Sequence, residues 1–184
     1  DWYSGPTLLE HLDSVPLDAE ADAQKPFRMP VQWVNRPNQS FRGFTGQIAS
    51  GKLVRSQAIR VLTSGGTPRI ERIVTADGDL DEAVAGQSVT VTFTHEVDCS
   101  RGDVIASSNA PPEVADQFEA TIVWMDEQEM IPGRGYWLKL GTQVVTATVQ
   151  HPKYEINVNT LEHLAAPTLH LNSIGVATIA TDRE

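Results

Sequence analysis

Eight residues, GQIASGKL from Gly46 to Leu53, set Gly46, Gly51 and Lys52 at the spacing of the phosphate-binding pattern G-x-x-x-x-G-K-[ST]. In such a loop the glycines open backbone N–H groups toward phosphate oxygens, and the final hydroxyl holds Mg²⁺. Leu53 stands where that hydroxyl belongs. The preceding VNRPNQSFR carries Pro37 and two asparagines in place of a buried parallel strand, and a four-position pattern recurs by chance. The stretch reads better as a hairpin. RGFTGQIAS forms one strand with Phe44, Gly46 and Ile48 on a single face; Gly51-Lys52 turns the chain, and AIRVLT returns antiparallel. Lys52 is then expected in solvent at the tip, and Gly46 at a bulge or tight bend.

The other chemistry-bearing clusters are weaker. DGDLDEA, Asp77 to Ala83, has four carboxylates in six positions but lacks the sixth-position Gly and distal Glu of a calcium loop. It reads as a solvated hairpin turn. His95-Glu96 has neither a nucleophile nor an orienting group nearby, so it reads as strand-end surface. His151, His163 and His170 are too irregularly spaced to be ligands, and Cys99 has no second cysteine for a zinc site. Trp124, Trp137, Tyr136 and Phe118 alternate along strands and read as core. VNRPNQSFRGF differs: Arg36, Phe41, Arg42 and Phe44 gather two cations and two aromatics, the types enriched at interface hot spots. These four are the candidate partner-contact residues, although Phe44 alternates like a core residue.

These groups need a scaffold, and the chain of 184 residues fits one large or two small domains. It holds 14 Lys+Arg against 24 Asp+Glu, a net charge of −10, which disfavours nucleic-acid binding. The single Cys excludes an internal disulfide and fits a reducing cytoplasm. No apolar run reaches the ~20 residues of a membrane span. In TLLEHLD, Thr7 and Glu10 form a capping box that starts a short helix. VPLDAEADAQKP, Val15 to Pro26, reads as a linker. Beyond Phe27 short strands dominate, the clearest being SVTVTFT with Val89, Val91 and Phe93 on one face. Pro111-Pro112 interrupts them and marks a boundary. FEATIVWM, GYWLKLG, TQVVTATV and SIGVATIAT follow as strands, and only NTLEHL looks helical. This pattern implies sandwiches or barrels.

The stretches RGFTGQIASGKL…AIRVL, AVAGQSVTVTF and SRGDVIA resemble the second, β-barrel domain of translation-factor-type GTPases. FEATIVWMDEQEMIPGRGYWLKLGTQVVTATV is similar to their third domain. More specifically, WYSGPTLLEHL, PFRMPVQWVNRP and KYEINVNTLEHL…LNSIGVATI resemble the large, GTPase subunit of bacterial sulfate adenylyltransferase, which in some relatives is fused to an adenylylsulfate kinase. The resemblance spans essentially the whole chain. It departs at LVRSQAI, where Ser56-Gln57 replaces the common Gly and acidic residue.

The resemblance implies an all-β fold of two consecutive antiparallel barrels with a short N-terminal helix. Residues 1–25 would be the end of a missing GTP-binding domain and a linker, 26–109 the domain II barrel, and 110–184 a C-terminally truncated domain III barrel. The parent's reaction converts ATP and sulfate to adenosine 5′-phosphosulfate and pyrophosphate, coupled to GTP hydrolysis. The resemblance places GTP and Mg²⁺ in the missing domain and ATP on a small catalytic subunit. The barrels are expected to dock that subunit and relay the GTPase state. No residue present is expected to be catalytic, cofactor-binding or metal-binding, so the fragment alone is expected to be inactive. The alternatives are an elongation-factor barrel pair contacting aminoacyl-tRNA and a free-standing extracellular β-module.

Overall fold

The computed structural model describes residues 4–15 and 19–183, which are nearly all antiparallel β with two short helices. Helix α1, Leu8–Ser14, starts where the capping box sets it: the Thr7 hydroxyl accepts from the Glu10 N–H at 3.3 Å, and the Glu10 carboxylate accepts from the Thr7 N–H at 2.7 Å. A second helix, α2 (Ala19–Gln24), corrects the reading of Val15–Pro26 as a plain linker. AEADAQ consists largely of helix formers, and low apolarity does not prevent a surface helix. Residues 16–18 of that stretch, and Asp1, Trp2 and Tyr3, lie outside the described residues. Among the described residues no helix is long and apolar enough to cross a membrane.

Backbone contacts divide the chain into two compact units, Asp1–Pro111 and Pro112–Glu184. Among the described residues the first holds ten strands: β1 (Arg28–Pro30), β2 (Trp33–Asn38), β3 (Phe41–Gln47), β4 (Lys52–Val54), β5 (Ile59–Val61), β6 (Ile70–Thr75), β7 (Gly78–Leu80), β8 (Glu82–Val84), β9 (Ser88–Phe93) and β10 (Val104–Ser107). They pair as β2-β3-β9-β6-β7, β1-β10-β5 and β4-β8. Period-2 alternation puts Phe44, Gly46 and Ile48, and equally Val89 and Val91, on the buried face. With Phe27, Met29, Leu53, Ile59, Ile70, Ile73 and Ile105 they close one core.

The pairing corrects the expected hairpin. Strand β3 joins β2 and β9, with Phe44 opposite Val91, while AIRVLT supplies β5, whose partner is β10. Lys52 lies in β4 opposite Val84 rather than at a hairpin tip.

The second unit is one sheet of β11 (Gln117–Val123), β12 (Gly135–Leu140), β13 (Gln143–Val149), β14 (Tyr154–Ile156), β15 (His163–Leu164) and β16 (Ile174–Thr181). The order is β12-β13-β16-β14-β15, with β11 also on β16. Met130, Ala147, Val149, Leu169, Ala177 and Ile179 form its core, flanked by Trp124, Tyr136 and Leu138. Trp137 does not join them: it is 80% exposed, because its neighbour Tyr136 takes the inward face and consecutive strand residues point to opposite sides. Phe118 is also 40% exposed. NTLEHL is not helical. Leu161 adopts φ +60°, and the Asn157 side chain accepts from the N–H groups of Asn159 and Thr160 in a local turn.

Candidate functional site

The near-motif at Gly46 cannot cradle a phosphate, because its donors are spent. The N–H of Ile48 donates to Gln87 O at 2.9 Å, that of Ala49 to Arg28 O at 2.8 Å and that of Gly51 to Asp22 O at 2.7 Å. Leu53 is buried in the core, and the Lys52 ammonium sits 2.5 Å from the Glu82 carboxylate. The glycines serve close packing. A Cβ on Gly46 would stand 2.2 Å from Pro30 O, and Gly51, at φ +77°, lies against the backbone of Lys25 and Phe27. Residues 46–53 therefore do not fit a nucleotide phosphate.

Two of the DGDLDEA carboxylates are also engaged, Glu82 with Lys52 and Asp79 in a two-point pair with Arg72 at 2.6 and 2.8 Å. That pair holds the Asp79 carboxyl below its usual range. No group of three or more His, Cys, Asp or Glu suited to a metal occurs among the described residues.

Three of the four candidate partner-contact residues converge on one cleft of about 360 Å³ in the first unit. Its position follows from the β2–β3 hairpin. Asn38 Oδ1 accepts from the Ser40 N–H at 3.0 Å, tightening the turn that delivers Phe41 and Arg42. The pairing shifts register between Asn35 and Asn38, so Pro37, which has no N–H, sits in the irregularity. Phe41, Arg42 and Phe44 all line the cleft.

Phe44 is 2% exposed and stacks on Phe93 with ring centroids 4.6 Å apart, forming the floor. Arg42 lies over Phe44, 5.2 Å from its ring centroid, and donates to the carbonyls of Val97 and Cys99 at 3.4 and 3.2 Å. Arg36 does not line the cleft. It pairs with Glu96, which does, at 3.9 Å.

Composition hid half of this site. Residues 92–97, from the end of β9 and the loop after it, about fifty residues from the hairpin, form the opposite wall with Glu71 and Arg72 of β6. The alternation of SVTVTF marked Phe93 as a core residue, and nothing local tied it to Phe44. Beneath the loop, the Cys99 thiol is buried and pushed up to about 12, chiefly by that burial, which makes it inert toward thiol reagents. The cleft thus combines an aromatic floor with a rim of Glu71, Arg72, His95 and Glu96, the last paired to Arg36 outside it. The Thr94 hydroxyl lies 3.3 Å from His95 Nδ1 in this lining, and an aromatic floor beside a charged rim is the composition of recognition surfaces.

A family model described as GTP-eEF1A C-terminal domain-like matches residues 117–184. The chain is 50% identical over 181 residues to the bifunctional enzyme NodQ of Rhizobium sp. (strain N33), covering 98% of this chain and 28% of that protein. It is 47% identical to the bifunctional enzyme CysN/CysC of Xylella fastidiosa, of which it covers 29%. Sulfate adenylyltransferase subunit 1 of Methylorubrum extorquens is 46% identical over 183 residues, 100% of this chain and 39% of that protein. The chain therefore spans well under half the length of these relatives, while its own length is matched almost entirely. Among solved structures, sup35 complexed with GDP superposes with a TM-score of 0.80 at 22% identity, covering 98% of this chain and 45% of that one. That likeness shows the translation-factor fold.

Proposed function

We propose, from the homology of this chain to sulfate adenylyltransferase subunit 1 along its whole length, that it is the non-catalytic β region of such a large subunit, acting in cytoplasmic sulfate assimilation. In this reading residues 1–25 close a GTP-binding domain, and residues 26–109 and 110–184 are the second and third domains. GTP and Mg²⁺ belong to the first domain, and ATP to a separate small catalytic subunit. The two β domains dock that subunit and transmit the GTPase state as rigid bodies about a hinge.

The observation that carries the reading is the 46–50% identity across the whole chain. The cleft of Phe41, Arg42 and Phe44, with Arg36 paired to its rim, is the docking face we assign. It joins an aromatic floor to a polar rim, the arrangement of interface hot spots. An elongation-factor role is disfavoured by the net charge of −10, which opposes phosphate contacts.

The test is binding of the 184-residue chain to the small subunit, read by biolayer interferometry beside a gel shift with aminoacyl-tRNA. Saturable binding of the subunit without a tRNA shift supports the reading. A tRNA shift without subunit binding overturns it.

A further inference from the structure

The second unit carries a groove of about 260 Å³ where β14 and β15 meet the turn before β16, lined by Ile156, Val158, Leu164, Leu171 and Ile174 beside Glu155. Val158 is 60% exposed, Leu164 45% and Leu171 47%. Contiguous exposed apolar side chains of this kind mark interaction surfaces. The loop bearing them is well ordered by its own bonds. The Asn157 N–H donates to Glu162 O at 2.9 Å, and the Leu161 N–H to Asn157 O at 2.7 Å. Leu161 itself is held outward at φ +60°, a backbone region leucine rarely adopts.

Glu155 is the one carboxylate in the groove lining, with Glu162 and Glu129 held close by, and His163 and His170 adjoin Leu164 and Leu171. Glu155 accepts from the Ser173 hydroxyl at 2.8 Å, Glu162 from the Thr160 hydroxyl at 3.1 Å, and Glu129 stands 3.7 Å from His170 beside Leu171. No Lys or Arg lines the groove. The basic residues of this unit are Arg134, Lys139, Lys153 and Arg183, and Lys153 is paired with Glu119. The edge strand β15 is only two residues long, too short to template an added strand. That leaves an amphipathic helix laid into the groove as the fitting mode of recognition.

We propose that this groove docks a cationic amphipathic helix of a protein partner, with its leucine-type side chains between Val158, Leu164 and Leu171 and its lysines or arginines over Glu155, Glu162 and Glu129. The proposal stands on the second unit alone, whatever the first-unit cleft binds.

The test uses the 184-residue chain with methyl-labelled Val and Leu, titrated with a short helical leucine–lysine peptide at physiological ionic strength. A scrambled peptide of equal composition, without an apolar face, is the control. The proposal expects saturable shifts at the Val158, Leu164 and Leu171 methyls and binding about tenfold weaker for the scrambled peptide. The doubly substituted Leu164→Ser, Leu171→Ser chain, altered only at exposed positions, should also bind about tenfold more weakly, and Glu162→Gln about threefold. Equal binding of the two peptides, shifts that spare the groove methyls, or an unaffected double variant would each overturn it.

Discussion

The Arg42 guanidinium bridges the Phe44 ring, 5.2 Å from its centroid, to the carbonyl of Cys99 at 3.2 Å. One side chain thereby ties β3 to the loop after β9 and fixes two walls of the cleft. Replacing it removes two charge-assisted hydrogen bonds and a cation–π contact. Arg42→Met should therefore lower stability by about 1–2 kcal/mol. Arg42→Lys should recover little of this, because an ammonium cannot reach both carbonyls from above the ring. Urea unfolding of the three proteins reads the difference.

Gly46 and Gly51 are held by backbone rather than by side chains that can move aside. Gly46→Ala drives a methyl toward Pro30 O, and Gly51→Ala adds a left-handed φ to a clash with Phe27. Each should cost about 2–4 kcal/mol in denaturant unfolding. Gly65→Ala, also at positive φ but in open space, should cost only about 1 kcal/mol.

Ser56 sits at φ +68° in the turn after β4, with its N–H donating to Ile70 O at 2.8 Å. This is the position at which the resemblance leads one to expect glycine. Ser56→Gly relieves the left-handed penalty while adding unfolded-state entropy. The net gain should be about 0.5–1 kcal/mol, seen as a higher melting temperature.

The Arg72–Asp79 pair predicts a pH effect of defined sign. Its hydrogen bonds lower the folded-state pKa of Asp79 below the unfolded value. The stabilisation is therefore complete above the unfolded pKa and disappears as pH falls through the folded one. A carboxyl-detected NMR titration should give Asp79 a midpoint below the ordinary aspartate range, and Arg72→Gln should raise it. An unchanged midpoint in the variant would contradict the pairing.

Local signals in the sequence were reliable where local physics decides the outcome. Thr7 and Glu10 capped α1, Val89 and Val91 faced inward, and Phe44, Gly46 and Ile48 shared a buried face. Errors arose where a distant segment decides. β3 chose β9 over the nearer β5, since Phe44 pairs with Val91 and stacks on Phe93 only in that register. NTLEHL has helix-forming residues, yet Asn157 closes a turn before them and β15 claims His163 and Leu164. The cleft was half visible. The hairpin supplied its aromatic and cationic composition, while its other wall came from β6, β9 and the loop after β9.

The docking role proposed for the cleft is tested most directly by the affinity of a sulfate adenylyltransferase small subunit for the wild-type chain and for Phe41→Ala, Arg36→Glu and the off-site control Arg60→Ala. The account predicts at least about tenfold weaker binding for Phe41→Ala and Arg36→Glu, with Arg60→Ala unchanged. Equal affinities across all four chains, each confirmed folded, would contradict it.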